Sequence, residues 1–457
     1  MPNFFIFYLI IQISKILSEP LVFNFQTRIK KSNNVMESLI NNDIYTSILV
    51  GSKKQKIEMN IKSQKASTFI VSTSCPQNSK ATKFNEKDSS TYKEYIPSTR
   101  IFMYEFEYAS LSSDDLIFVQ NNNKEIFVKN YTFMTVQGMW DDHQENMGGL
   151  IGLKMQEKPE YNIKPPELTD FIEQLKEKKI IDSEVFVLDY KDNNNGVLYV
   201  GDYSPNFNGN YSINDFVSAK AGKAKHKVKD WEISVEKLLY NDQVIQNSTY
   251  IQFFYELGIV AAPQTFRNFI NDNFFKSYNE RGICKEVLNL EKVASFKKYN
   301  YIECDKNRFD KKSFPGLKFF NSEMNINFEL NYDDLFYEYE NKIYFLVIFP
   351  VYEITVEYWL VGKPFIKKYK LFLDKDKKTV GLYLNYQDYI HEELNGNKNT
   401  TSYIAVIIVL ILVLISSLTA ILYYFLVIKK PRKERMNELE NIEFQYLGDS
   451  KDKNIIN

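Results

Sequence analysis

Short apolar or alternating segments separated by turn residues dominate the chain between residues 20 and 400. Runs of about four to eight residues that are rich in β-branched and aromatic side chains are typical of strands. The segments with this pattern are Ile44–Val50, Ile57–Ile61, Phe69–Ser72, Ile101–Tyr108, Leu116–Val119, Val185–Leu188, Val197–Val200, Ile343–Ile348 and Val380–Tyr383. The pattern predicts a mainly β protein.

Helical periodicity is confined to two segments in this region. Leu168–Lys179 places Phe171 and Leu175 on one face, and Pro263–Phe274 opens with a proline, which the first turn of a helix tolerates. We therefore expect one helix among many strands in each half. No short repeat is visible, which excludes solenoids and propellers.

Two longer apolar segments bear on the compartment. Residues 4–13 (FFIFYLIIQI) are too few to span a bilayer and are followed by Lys15 and small or polar residues. This pattern predicts a signal peptide over residues 1–19. A buried N-terminal strand or an uncleaved anchor is the alternative.

The second apolar segment, residues 404–428, contains no charged residue and is long enough to cross a bilayer. Tyr403 and Tyr424 stand where interfacial aromatics are found, and a basic cluster, KKPRKER, follows at residues 429–435. We predict a transmembrane helix over 403–428 and a cytosolic tail over 429–457. The remainder would be lumenal or extracellular, as in a type I protein of the endomembrane system or cell surface. A buried core helix is the alternative.

Charge and histidine content limit the function classes. Lys and Arg total 57 against 58 Asp and Glu, so the net charge of −1 creates no field that attracts nucleic acid. The three histidines, His143, His226 and His391, are scattered along the sequence, away from the cysteines. We therefore expect no nucleic-acid partner, metal or cofactor.

Three cysteines in an oxidising compartment suggest one disulfide and one spare thiol. Proximity in sequence favours Cys284 with Cys304, a pairing that contributes about 3 kcal/mol on the chain-entropy model. It leaves Cys75 either free or paired with another chain. Candidate N-glycosylation sites are Asn130, Asn210, Asn247 and Asn399.

The C-terminal part of this region carries a specific pattern. Tyr358–Ile366 (YWLVGKPFI), then Tyr369, Phe372–Asp374 and Val380–Leu382, are similar to WILGDPFLRxYYxxFDxxxxxVGFA, which is typical of pepsin-like aspartic peptidases. Other segments resemble motifs of the same family in the same order: Ile44–Gly51 with Gln55, Phe84–Asn85, Ser89–Lys93, Gly149–Leu153, Gln174–Ile180, Gly196–Asp202 and Trp231–Ile233. The resemblance extends over about residues 45–383.

The resemblance implies two β-rich lobes, residues 20–205 and 206–396, on either side of a long peptide-binding cleft. The family's late disulfide also fits Cys284 and Cys304. A peptide or protein ligand in the cleft is the partner that the family fold implies.

The family's reaction needs two carboxylates about 3 Å apart that share one proton. Aligned with FDTGSSN, the first aspartate position is Lys62, and no Asp or Glu occurs from Met59 to Lys80. Aligned with DTGTSLxxxP, the second position is Phe254, or Glu256 if two residues are deleted. Neither catalytic aspartate is therefore expected, and we predict an inactive peptidase.

Tyr104 matches the family's flap tyrosine, or is an ordinary strand aromatic. The residues after it read EFEY (105–108) where the family has flexible glycines, so the flap is expected to be stiffer. Candidate cleft residues are Lys62, Lys65, Phe106, Glu107 and Glu256.

Three functions remain open from the sequence. The first is a membrane-anchored, non-catalytic module that binds a peptide or protein. The second is an active aspartic-type endopeptidase that uses non-standard carboxylates. The third is a structural surface glycoprotein with no ligand in the cleft.

Overall fold

A computed structural model describes residues 20–29, 32, 34–63, 65, 67–76, 81–100, 106–120, 123–139, 147–155, 170–201, 216–222, 231–290, 296–351 and 358–383. The predicted signal peptide, transmembrane helix and cytosolic tail lie outside these ranges, as do Tyr104, Asn210 and Asn399. Within the described ranges, no helix is both long and apolar enough to cross a bilayer.

Strands dominate the described residues, which confirms the mainly β prediction. The first sheet has 13 strands: β1 Leu21–Ile29, β2 Asn42–Val50, β3 Gln55–Lys62, β4 Thr68–Val71, β5 Lys93–Arg100, β6 Phe106–Val119, β7 Glu125–Met139, β8 Gly149–Gly152, β9 Val185–Tyr190, β10 Asn195–Val200, β11 Phe216–Lys220, and the last two strands, β23 Leu371–Asp374 and β24 Thr379–Tyr383.

A second sheet of 11 strands is built from the middle of the chain. Its members are β12 Glu232–Tyr240, β13 Gln243–Phe253, β14 Val260–Ala261, β15 Cys284–Asn289, β16 Tyr299–Asp305, β17 Leu317–Asn321, β18 Ile326–Leu330, β19 Phe336–Tyr339, β20 Lys342–Phe345, β21 Val347–Pro350 and β22 Tyr358–Val361. Two sheets of this composition are compatible with two lobes. The predicted lobe limits stay a prediction, because residues 202–215 lie outside the described ranges.

The helices are short and lie between strands. They are α1 Val35–Ile40, α2 Phe171–Glu177, α3 Gln264–Ile270, α4 Lys276–Glu280, α5 Tyr332–Leu335 and α6 Lys363–Tyr369, with a π-helical turn at Asn271–Phe275 and 3-10 turns at Glu86–Asp88 and Lys311–Ser313. Both predicted helices are present: Asp170 caps α2 through the N–H of Glu173, and Pro263 is the residue before α3.

One predicted strand, Ile343–Ile348, is divided in two. Leu346 lies between β20 and β21, and its N–H donates to the carbonyl oxygen of Leu335 at 2.7 Å. The chain thereby leaves the pairing with β19 and joins β14, while β16 pairs with both β20 and β21. Apolar periodicity continues across this switch, so the sequence pattern could not reveal it.

Buried aromatic residues join the two sheets. Phe186 on β9 and Trp231 before β12 pack edge to face, with ring centroids 5.7 Å apart. The indole N–H of Trp231 donates to the carbonyl oxygen of Leu153 at 2.7 Å. Both contacts belong to one large apolar cluster, which fixes the end of β8 against the second sheet.

The predicted disulfide is confirmed: Cys284 and Cys304 face each other on β15 and β16. Cys75 is buried at 2% exposure in an apolar cluster. The sequon residues Asn130 and Asn247 are exposed. Glycosylation of either stays a prediction.

Candidate functional site

Two strand motifs with the same pairing pattern face each other. In the first, β3 runs parallel to β8, β8 antiparallel to β4, and β4 parallel to β7. In the second, β13 runs parallel to β22, β22 antiparallel to β14, and β14 parallel to β21. Each motif carries a loop between its first and second chain segments, at 62–67 and 254–259.

The strand registers show which loop residues are equivalent. Ile151 on β8 pairs with Ile61 on one side and Thr68 on the other. Val361 on β22 pairs in the same way with Phe253 and Val260. Both loops therefore have the same length, and the residue after Ile61 is equivalent to the residue after Phe253.

Direct hydrogen bonds connect the two loops. The backbone N–H and the hydroxyl of Ser63 donate to Glu256 Oε2 at 3.2 and 2.7 Å. The hydroxyl of Tyr255 lies 3.2 Å from the carbonyl oxygen of Lys62 and 3.3 Å from that of Leu153, so its one proton is shared between the two acceptors. We call this set of contacts the loop junction. It brings Lys62 and Glu256 together.

Lys62 forms an ion pair at the edge of the loop junction. Its Nζ lies 3.0 Å from Asp43 Oδ1, and the two side chains are 14% and 26% exposed. Lys65 lies in the same loop, where its carbonyl oxygen accepts the N–H of Lys154 at 2.8 Å. The first loop thus presents cations in a partly solvated setting.

Glu256 is the acid of the second loop. Burial of its carboxyl group raises its pKa, while the positive charge of Lys62 and the hydrogen bonds from Ser63 act in the opposite direction. The backbone carbonyl oxygen of Glu256 accepts the N–H of Asn42 at 3.1 Å, which connects the second loop to the start of β2.

The segment of α1 and the residues after it holds the second loop in place. The N–H of Gly258 donates to Ile40 O at 3.0 Å, and Asn42 Nδ2 donates to Tyr255 O at 3.4 Å. A Cβ atom at Gly258 would lie 2.0 Å from Leu39 O, so the backbones approach as closely as only glycine permits.

Phe254, the residue equivalent to Lys62, is buried at 8% exposure. It belongs to an apolar cluster with Met36 and Ile40 of α1 and with Leu257 of its own loop. Equivalent places in the two motifs therefore hold an ammonium group at a partly solvated edge and a phenyl ring in an apolar interior.

A comparison with protein-family models gives a match to eukaryotic aspartyl protease over residues 43–384. The chain belongs to the eukaryotic aspartyl protease family. The matched range includes both strand motifs and both loops, so the predicted family is confirmed. A comparison with curated protein sequences finds no significant match.

Within this aspartyl protease fold, the predicted site residues have different outcomes. Lys62, Lys65 and Glu256 lie on the paired loops. Phe106 and Glu107 are placed only by their backbone, at the start of β6, and their side chains lie outside the described parts. The contribution of these flap residues stays a prediction.

Sequence reasoning missed the contacts that Ser63 and Tyr255 make in the loop junction, and the ion pair of Asp43 at its edge. Asp43 immediately precedes a predicted strand, and Tyr255 reads as one more apolar residue. Their roles arise from contacts between segments far apart in sequence, which no local pattern signals. In the described parts of the chain, no cluster of three His, Cys, Asp or Glu side chains could hold a metal.

Proposed function

We propose that this aspartyl protease family member does not cleave peptides and instead binds a peptide or protein in its inherited cleft. The observation that carries the proposal is the register of the two motifs, which aligns Lys62 with Phe254. Through the family resemblance, these are the positions of the two aspartates. The family's reaction needs a pair of carboxylates that share one proton, and neither an ammonium group nor a phenyl ring can take the place of such a carboxylate.

The partners of Glu256 and Asp43 also support lost catalysis. Ser63 donates twice to Glu256, and Lys62 pairs with Asp43 at 3.0 Å. An active endopeptidase would need two carboxylates in direct contact around a water molecule. Here Glu256 instead accepts hydrogen bonds from Ser63, and Asp43 pairs with Lys62, both residues of the first loop. These contacts favour an inert site at the base of the cleft.

A purely structural role is the second candidate, and the burial of Phe254 and Tyr255 favours it. These side chains are 8% and 0% exposed, so the second loop contributes aromatic packing to the interior. A loop that serves only as packing would retain the fold without any need for a cleft ligand.

We further propose that residues 1–19 are removed as a signal peptide and that residues 403–428 anchor the protein as a type I membrane protein. The support is the charge-free apolar segment beside a basic cluster. N-glycosylation in the same compartment completes this proposal.

Peptide capture separates binding from a structural role. The full-length protein is immobilised and exposed to a mixed peptide library, and retained peptides are identified by mass spectrometry. We expect a consistent set of intact peptides, which changes in Lys62→Glu and Lys65→Glu variants. The matched control is Lys377→Glu, which reverses an exposed lysine outside the loops. Retention equal to that of heat-denatured protein would contradict binding and favour the structural role.

A further inference from the structure

Two lysines of α6 converge on one uncharged residue, Asn193, in the turn between β9 and β10. Lys363 Nζ donates to the backbone carbonyl oxygen of Asn193, and Lys367 Nζ donates to Asn193 Oδ1 at 2.7 Å. Lys363 Nζ also reaches Asn42 Oδ1 at 3.4 Å. All of these acceptors are neutral, and like charges one helical turn apart repel each other.

The nearby carboxylates have other partners. Asp189 is 2% exposed and accepts Lys191 at 2.6 Å and Lys370 at 3.2 Å. Asp192 faces its own turn, where its Oδ1 accepts the backbone N–H of Asn194 at 2.6 Å. Neither acid therefore forms an ion pair with the two lysines on α6.

The surroundings of Lys363 disfavour its charged form, and a bound anion would favour that form. Burial and the charge of Lys367 lower the pKa of Lys363 to about 8, against a smaller opposite effect of Asp192. An anion between the two ammonium groups would offset their mutual repulsion and favour the charged form of Lys363. In the family pattern WILGDPFLR, an aspartate stands at the position of Lys363 and an arginine at that of Lys367, so this chain has two cations where the pattern has an acid and a cation.

We propose that Lys363 and Lys367, which Asn193 holds close together by accepting a hydrogen bond from each, bind a phosphate or sulfate group. Lysine is a common ligand of such oxyanions, as a point charge with three donors. Lys367 and Asn193 are exposed, so a ligand can reach the pair from solvent. An open cavity of about 370 Å³ beside this loop offers room for the rest of a larger ligand, and it is lined by Gln26, Thr27, Tyr45, Asn194 and Asn195.

Titration of the full-length protein with sodium phosphate and with sodium sulfate, at constant ionic strength, tests the site. Binding is followed by calorimetry. We expect saturable binding that weakens about tenfold or more in Lys367→Gln and in Lys363→Gln, because each removes one charged donor. Lys377→Gln is the matched control, since it removes one exposed lysine that already pairs with Asp374 at 3.4 Å.

Vesicles of neutral phospholipid, with and without an anionic phosphate-monoester lipid, identify the source of the phosphate. Saturation by the free ion supports a soluble ligand, whereas binding only to anionic vesicles, lost in Lys367→Gln, supports a lipid headgroup. Because Lys367 is exposed, its variant tests the site without a folding defect. No saturable binding in either arm, or equal binding by Lys367→Gln and Lys377→Gln, would overturn the proposal.

Discussion

The two loops of the junction differ in chemistry although the strands around them pair in the same way. The first loop carries Lys62 and Lys65 at a partly solvated edge, next to the buried Ser63. The second carries Phe254 and Tyr255 in an interior setting, with Glu256 as its acid. The same backbone frame therefore supports a charged loop in one half of the protein and an aromatic loop in the other.

This difference shows which residues maintain the frame. Ile151 and Val361, the central residues of the two motifs, are both fully buried and pair with strands on both sides. The frame is stabilised by the burial of such strand residues and by the hydrogen bonds between the strands, not by the side chains of the loops. The side chains of the loops can therefore differ between the two motifs while the strand frame stays the same.

The largest expected effect comes from placing an aspartate in each loop in turn. Phe254→Asp would put a carboxylate into the apolar cluster with Met36 and cost about 4 kcal/mol of unfolding free energy. Lys62→Asp should cost less, about 2 kcal/mol, because the site is partly solvated, although the change loses the ion pair with Asp43 and places a like charge beside it. Urea unfolding measures both.

Phe254→Leu serves as the control for lost aromatic volume in this pair of variants, and it should cost about 1 kcal/mol. Equal destabilisation by Phe254→Asp and Lys62→Asp would contradict the assigned difference between the two loops.

Gly258→Ala tests whether α1 clamps the second loop. The added methyl group would meet Leu39 O at 2.0 Å, so we expect a loss of about 3 kcal/mol from overpacking. Gly282→Ala is the control, since Gly282 has a φ of 61° but open space around it, and should cost about 1 kcal/mol. Both variants are measured by thermal unfolding. An equal loss of stability in Gly258→Ala and Gly282→Ala would contradict the proposed clamp.

Tyr255→Phe removes the hydroxyl that connects the loops. The one donor that Lys62 O and Leu153 O share is lost, and we expect a destabilisation of about 1 kcal/mol. Tyr250→Phe, on the strand that leads into the same loop, is the matched control and should have almost no effect. Both variants are measured by denaturant unfolding. A stability loss in Tyr250→Phe as large as that in Tyr255→Phe would contradict the role of the Tyr255 hydroxyl in connecting the loops.

Glu256→Gln gives the smallest effect and one that depends on pH. Because the pKa of Glu256 is raised on folding, the folded protein holds a proton that the unfolded chain has lost once the pH exceeds its usual pKa. The wild type therefore loses stability as pH rises through this window, whereas glutamine does not titrate. We expect the unfolding free energy of Glu256→Gln relative to that of the wild type to be higher at pH 7 than at pH 4. The same difference at both pH values would contradict the raised pKa.

Much of the frame could be predicted from the sequence, and the contacts within the junction could not. The short apolar and alternating segments predicted the mainly β class. The closeness of Cys284 and Cys304 in the sequence, together with the family resemblance, predicted their disulfide. The pairing of Asp43 with Lys62 depends on how β2 and β3 align. Whether Phe254 or Glu256 follows the strand in the equivalent place is likewise a property of register, which becomes visible only when strands are paired.

The most direct test of the central claim is cleavage of a mixed peptide library by the purified full-length protein from acid to neutral pH. Parallel reactions contain a transition-state-mimicking inhibitor of aspartic peptidases, and products are identified by mass spectrometry. Our account predicts intact peptides at every pH in a sample shown to be folded. Turnover that the inhibitor suppresses would contradict it and would return Glu256 and Asp43 to consideration as catalytic acids.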